Sequence, residues 1–172
     1  MKKCYKHNIV KTKLDKCFYI DTDIRMLHAI MELVTDFVNN DMRKWSLKKY
    51  EKECTRIKKE DGEYAGENLK KMKLQYETDQ KLILIAKWWK NYNNRNKEID
   101  RARHAWTSYY EKFLDDKTEF LGFQKARDVM SYEQKHKEHA LFMRIHTLKT
   151  NLYEDEQKML KLAVDARIGM WS

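Results

Sequence analysis

Proline is absent from this chain of 172 residues, and glycine occurs only four times. Both residues break helices, make tight turns and end strands. A chain nearly without them lacks the means for the frequent reversals of a β-sandwich or a doubly wound sheet. Long helices joined by short polar connections remain, so the expected fold class is all-α: a compact bundle of about five or six helices. Long hydrophobic runs are missing too. The longest, Leu82 to Ala86, falls far short of the roughly 20 residues of a membrane-spanning helix. The lysine-bearing N-terminus has no apolar segment followed by a small-residue cleavage site, so neither membrane insertion nor secretion is expected. Cysteine is scarce: Cys4, Cys17 and Cys54 are odd in number, widely spaced and never CxxC. That excludes a disulfide scaffold and a zinc ribbon and fits a reducing cytosol.

The signatures of common enzymes are lacking as well. Ser46, Ser108, Ser131 and Ser172 sit in no Gly-x-Ser-x-Gly elbow, and no glycine-rich loop opens a helix, so no phosphate loop or dinucleotide fingerprint is present. Glu133, His136 and His139 lie three residues apart and His146 seven beyond His139, a spacing that could bring all four to one helix face. Glu133-x-x-His136 matches half of a di-iron bundle motif, but the second Glu-x-x-His is absent. The HExxH and deaminase patterns are absent too. These histidines read as a solvated or partner-facing stripe. The expectation is a protein with no catalytic residues, no metal and no cofactor.

What the sequence does have is helical periodicity and positive charge. Apolar residues make up 42% and charged residues 37%, which rules out both a disordered polar chain and a membrane protein. The net charge is +9, and residues 1–20 carry six lysines against Asp15 alone. We therefore separate a basic N-terminal arm or hairpin (1–20) from a helical domain (21–172). After the capping cluster Asp21-Thr22-Asp23, one stripe runs through Ile24, Leu27, Met31, Val34, Val38, Met42 and Trp45. A second runs through Met26, Ile30, Leu33 and Phe37. Two stripes predict a central helix wrapped on more than one side. A charged helix with a thin face of Leu47, Tyr50, Cys54 and Ile57 comes next, then a loop at residues 61–66. The following helix should carry Leu69, Met72, Tyr76, Ile83 and Ala86 on one face and stop at the asparagine-rich stretch 91–96, because Asn competes for backbone hydrogen bonds. A helix through Ile99 to Phe113, a turn at Asp115–Thr118, a helix over about 119–152 and a last one opened by Glu154-Asp155-Glu156 complete the prediction.

The segment Lys87-Trp88-Trp89-Lys90 with Tyr92 and Arg95, followed by Arg101, Arg103 and His104, is the candidate ligand-binding site. Indoles beside cations stack bases and hold phosphates. The alternative is that the tryptophans are core and the cations their solvated flank.

The same segment, from Lys87-Trp88-Trp89-Lys90 to Asn94-Arg95, together with Trp106 and the tail from Asp155-Glu156 through Met159-Leu160 to Arg167 and Trp171-Ser172, resembles a widespread family of small tailed-phage proteins without assigned activity. The resemblance covers roughly the C-terminal half, plus an apolar first helix ending in Phe37-Val38. It departs from the family pattern in lacking a proline near Asn94-Arg95, and the N-terminal arm has no counterpart. It implies phage origin and action in the host cytoplasm, and it transfers no catalytic residue. The resulting expectation is a phage accessory, anti-defence protein that sequesters an anionic ligand of nucleotide type. Direct nucleic-acid binding through the arm, or inhibition of a host defence protein through a helix face, are the alternatives. Its tyrosine- and methionine-rich faces, and a terminal Met170-Trp171 that would be adhesive if exposed, predict a homo-oligomer.

Overall fold

The computed structural model describes residues 22–42, 47–114 and 122–170, and over these the chain is all-α. The arm, Trp45, the turn at Asp115–Thr118 and the terminal Trp171 lie outside the described residues. Five α-helices occur among the described residues: α1 (Thr22–Asp36), α2 (Leu47–Glu60), α3 (Ala65–Tyr110), α4 (Gly122–Val129) and α5 (Tyr132–Met170). The chain divides into two compact units. One comprises residues 1–90 and 156–172, the other 91–155.

In the first unit α1 buries Leu27, Met31 and Val34, the middle of its first stripe. The second stripe does not become core: Met26 is 59% and Leu33 43% exposed. The expected central, doubly wrapped helix is therefore a one-sided helix. It ends in a π turn (Phe37–Asp41), where the Met42 amide reaches back to the Phe37 carbonyl at 2.8 Å and Met42 turns extended.

Helix α2 seats Ile57 in the core, and Tyr50 stacks on Tyr76 of α3 with ring centroids 4.4 Å apart. The predicted loop at residues 61–66 is a tight turn. Gly62 adopts a φ of 51°, a left-handed value that other side chains resist. A single 3-10 turn (Gly62–Tyr64) leads directly into α3, and Asn68 donates to the Asp61 carboxylate at 2.8 Å.

Along α3 the most deeply buried residues of this unit are Thr78, Asp79, Leu82, Ile85 and Trp89. The face chosen from sequence (Leu69, Met72, Tyr76, Ile83, Ala86) is only half-buried. Polar residues hold two of the core positions, which hides the true phase of the helix. Burial raises the Asp79 carboxyl above its ordinary range, and the hydrogen bond from Gln75 at 2.8 Å partly offsets this.

Two predicted helix boundaries do not exist. Helix α3 runs unbroken through residues 91–96, because buried Tyr92 and Ile99 anchor it within and just beyond the mostly exposed asparagines. An exposed Asn costs only a few tenths of a kcal/mol in a helix, less than such anchoring returns. Helix α5 likewise passes through Glu154-Asp155-Glu156, with Leu152 and Met159 buried before and after.

In the second unit the break falls instead at Met130-Ser131. Ser131 and Gln134 form a reciprocal capping box, the Gln134 amide donating to Ser131 Oγ at 3.3 Å and the Ser131 amide to Gln134 Oε1 at 2.7 Å. Such a box satisfies two amides at a helix start and is worth about 1 kcal/mol. Tyr109, Tyr110, Ala126 and Met130 form the core here, flanked by Trp106, Phe113, Leu114 and Leu141.

Candidate functional site

The residues singled out from sequence fall in both units, and each set is described by itself. In the first unit Lys87 and Lys90 are exposed, Trp88 is half-buried and Trp89 is buried. The Trp89 indole donates to the Glu32 carboxylate of α1 at 3.1 Å and meets the His28 ring edge-on at 4.7 Å. Trp88 lies beside it, with centroids 6.1 Å apart. The 100° step between successive helical residues thus points the indoles inward while the lysines stay in water. Trp89 offers no ring face to a base.

Burial lowers the His28 pKa from its usual 6.5, against the opposing pull of Glu32. A neutral imidazole in the fold must gain a proton that the unfolded chain takes up readily below about pH 6.5. His28 therefore contributes stability that is complete above its unfolded pKa and lost as the pH falls toward the folded one. Urea midpoints of the wild type should drop between about pH 7.5 and 5.5 by more than those of His28→Gln. Parallel profiles would refute this assignment.

In the second unit Tyr92 is buried, Arg95 is ion-paired with Asp155 of α5, and Arg103 lies 3.2 Å from Asp100. Arg101 and His104 are exposed, as is Lys97, which the sequence reading had passed over. The steps Lys97, Arg101 and His104 keep these three on one outward face of α3.

A second cationic face, also missed from sequence, lies on α2. Lys48, Lys52, Thr55 and Lys59 recur at steps of four, three and four, and all are exposed. They fall within about 60° of one another around the helix, on the side away from Tyr50 and Ile57. Of the helix's acids, Glu53 and Glu60 contact Arg56 at 2.5 Å and 2.7 Å, and Glu51 alone borders the lysine face. The hydrogen bond from Arg56 holds the Glu53 carboxyl below its ordinary range. Heptad-spaced lysines were the available signal, but a charged stretch without aromatics reads as mere solvated surface.

The histidine stripe of α5 is exposed at His136, His139 and His146, as is Glu133. Among the described residues no group of three or more His, Cys, Asp or Glu side chains could hold a metal, and no helix is long and apolar enough to cross a membrane. Set against known protein families, curated proteins and solved structures, the chain matches none of them.

Proposed function

We propose that this protein works by binding nucleic acid, with the lysine face of α2 contacting the phosphate backbone. The observation that carries this reading is the exposed set Lys48, Lys52 and Lys59 on one side of one helix, bordered by a single carboxylate, Glu51, while Glu53 and Glu60 contact Arg56. These cations span about 16 Å of helix, and a duplex presents a phosphate on each strand every roughly 3.4 Å of its axis. The charge distribution agrees. Residues 1–90 and 156–172 carry 24 basic and 16 acidic side chains, a net of +8, while residues 91–155 carry 12 and 11, a net of +1. The six lysines of residues 1–20 add to the same unit's attraction for a polyanion.

Sequestration of a free nucleotide by the Trp88-Trp89 segment is less well supported, because Trp89 and Tyr92 are buried. Following the resemblance to tailed-phage proteins, we read the activity as that of a phage accessory protein in the host cytoplasm, directed against host defence.

Fluorescence anisotropy with labelled single- and double-stranded oligonucleotides tests this directly. Binding should weaken steeply with salt. Lys48→Gln/Lys52→Gln/Lys59→Gln should reduce the slope of log K against log salt by about two to three, near 0.9 for each lost phosphate contact. Lys71→Gln/Lys73→Gln, which removes lysines facing Glu67 and Glu77, should change the slope little. Equal slopes in both variants, or no binding at low salt, would overturn the proposal. Release of a stoichiometric nucleotide on heating the protein would restore the sequestration reading.

A further inference from the structure

The strongest unused feature lies on α1. Met26, Ile30 and Leu33, with Phe37 at the start of the π turn that follows, recur at steps of four, three and four, the spacing of a coiled-coil seam. Met26 is 59% and Leu33 43% exposed, and Ile30 and Phe37 are half-buried. The adjacent face of the same helix, about 100° around, carries Leu27, Met31 and Val34 and already fills the core. The helix therefore carries, beside its core face, a second apolar stripe that the chain covers only in part. Isolated exposed apolar residues are ordinary, but a contiguous stripe of four marks an interaction surface.

We propose that this stripe pairs with the same stripe of a second copy of the chain, in antiparallel register across a two-fold axis. The seam is suited to self-pairing in that sense. An antiparallel seam sets each residue of one phase against the other phase of its partner. Met26 then meets Phe37 of the partner subunit, and Ile30 meets Leu33 of the partner subunit. Both pairs fall in a single register, and the two-fold repeats them.

Charge selects the direction. Arg25 and Asp36 are both exposed and flank the stripe on the same side, one near each end of the helix. In a parallel pair the two-fold runs along the helices and puts the two copies' Arg25 and Asp36 on opposite sides of the seam, where they do not meet. In the antiparallel pair each Arg25 lies within about 3 Å along the axis of Asp36 of the partner subunit, so the two-fold creates two opposite-charge contacts. Asn40 already donates to Asp36 Oδ1 at 2.6 Å, which leaves the second carboxylate oxygen for the guanidinium.

One helix pair of this length buries less than the roughly 1,200 Å² of a standard interface. The dimer should accordingly dissociate in the micromolar range rather than be obligate.

The test is sedimentation velocity of the full chain over about 1–500 µM, concentrations bracketing a micromolar dissociation constant. The mass should rise from 21.1 kDa toward twice that value. Leu33→Glu forces a charge into the apolar seam, so dimerisation should weaken by at least about 100-fold. Helicity by circular dichroism should be retained, because Leu33 is not core. Arg25→Glu alone and Asp36→Arg alone should each weaken the dimer by about fivefold, the scale of two rim ion pairs. The combined Arg25→Glu/Asp36→Arg exchange should restore it. A wild type that stays monomeric at the highest concentration overturns the proposal and assigns the stripe to another occupant. A dimer indifferent to Leu33→Glu overturns it as well, and failure of the combined exchange to recover affinity overturns the antiparallel register.

Discussion

Leu82→Ala is expected to destabilise the protein by about 3–4 kcal/mol, whereas Leu84→Ala, two residues on, should cost less than about 1 kcal/mol. Leu82 is 0% exposed and Leu84 48% exposed. Truncating Leu82 removes three carbon atoms from a region whose other large, fully enclosed side chains, Met31, Val34 and Ile85, belong to helices α1 and α3. The penalty then has two parts, lost transfer free energy and a cavity that close-packed helices can only partly refill. At Leu84 water already covers half the side chain, so most of the transfer term is absent and no cavity forms. For a chain of this length each kcal/mol lowers the melting temperature by about 2–4 °C. Thermal unfolding followed by far-ultraviolet circular dichroism should separate the two variants by roughly 10 °C. Equal melting points would mean that the phase of α3 described above is wrong by a fraction of a turn.

That phase is what the sequence conceals. The run Leu82-Ile83-Leu84-Ile85 is apolar at every position, so no periodicity within it distinguishes the buried pair, Leu82 and Ile85, from the exposed Leu84. One turn earlier, where a pattern should fix the register, Thr78 and Asp79 occupy buried positions. Fold class, in contrast, was legible from composition, because a chain without proline and with four glycines can do little but extend its helices. Helix ends were less legible. Asn91–Asn96 and Glu154–Glu156 carry polar residues with stop or start character, yet both stretches are helical because burial on either side outweighs small local preferences. The real boundary at Ser131 carries a Ser-x-x-Gln box that is readable in principle. It sits between Val129-Met130 and Tyr132, where the eye follows the hydrophobic residues instead. For the candidate site, sequence found cations and indoles adjacent in the chain, and adjacency on a helix separates side chains by 100°. Lys87 and Lys90 accordingly point to water, while Trp89 points to Glu32 and His28.

Removing the Glu138 carboxylate should affect the second unit as strongly as Leu82→Ala affects the first. Glu138 of α5 is 4% exposed. It accepts a hydrogen bond from the Trp106 indole of α3 at 3.1 Å, and the Arg127 guanidinium of α4 lies 3.8 Å from its other oxygen. Burial, and next the hydrogen bond to Glu138, push the Tyr110 phenol above its ordinary range. A single carboxylate thus ties together the three helices of this unit. Alanine leaves the half-buried Trp106 indole and the buried Tyr110 phenol without this acceptor, and it leaves the half-exposed Arg127 without its counter-charge. Two lost hydrogen bonds at a buried carboxylate, with the gap left by its side chain, cost about 3–4 kcal/mol, and solvated Arg127 adds little to this. Glu138→Gln retains an acceptor of nearly the same shape and should lose only about half as much, the part owed to charge. Trp106→Phe separates the two contributions. If the indole bond is the main one, Glu138→Ala in the Trp106→Phe background should cost at least about 1 kcal/mol less than in the wild type. Strict additivity in that cycle would show that Glu138 acts through the Arg127 and Tyr110 contacts alone. A Glu138→Ala protein as stable as the wild type would show that the carboxylate holds none of these helices together.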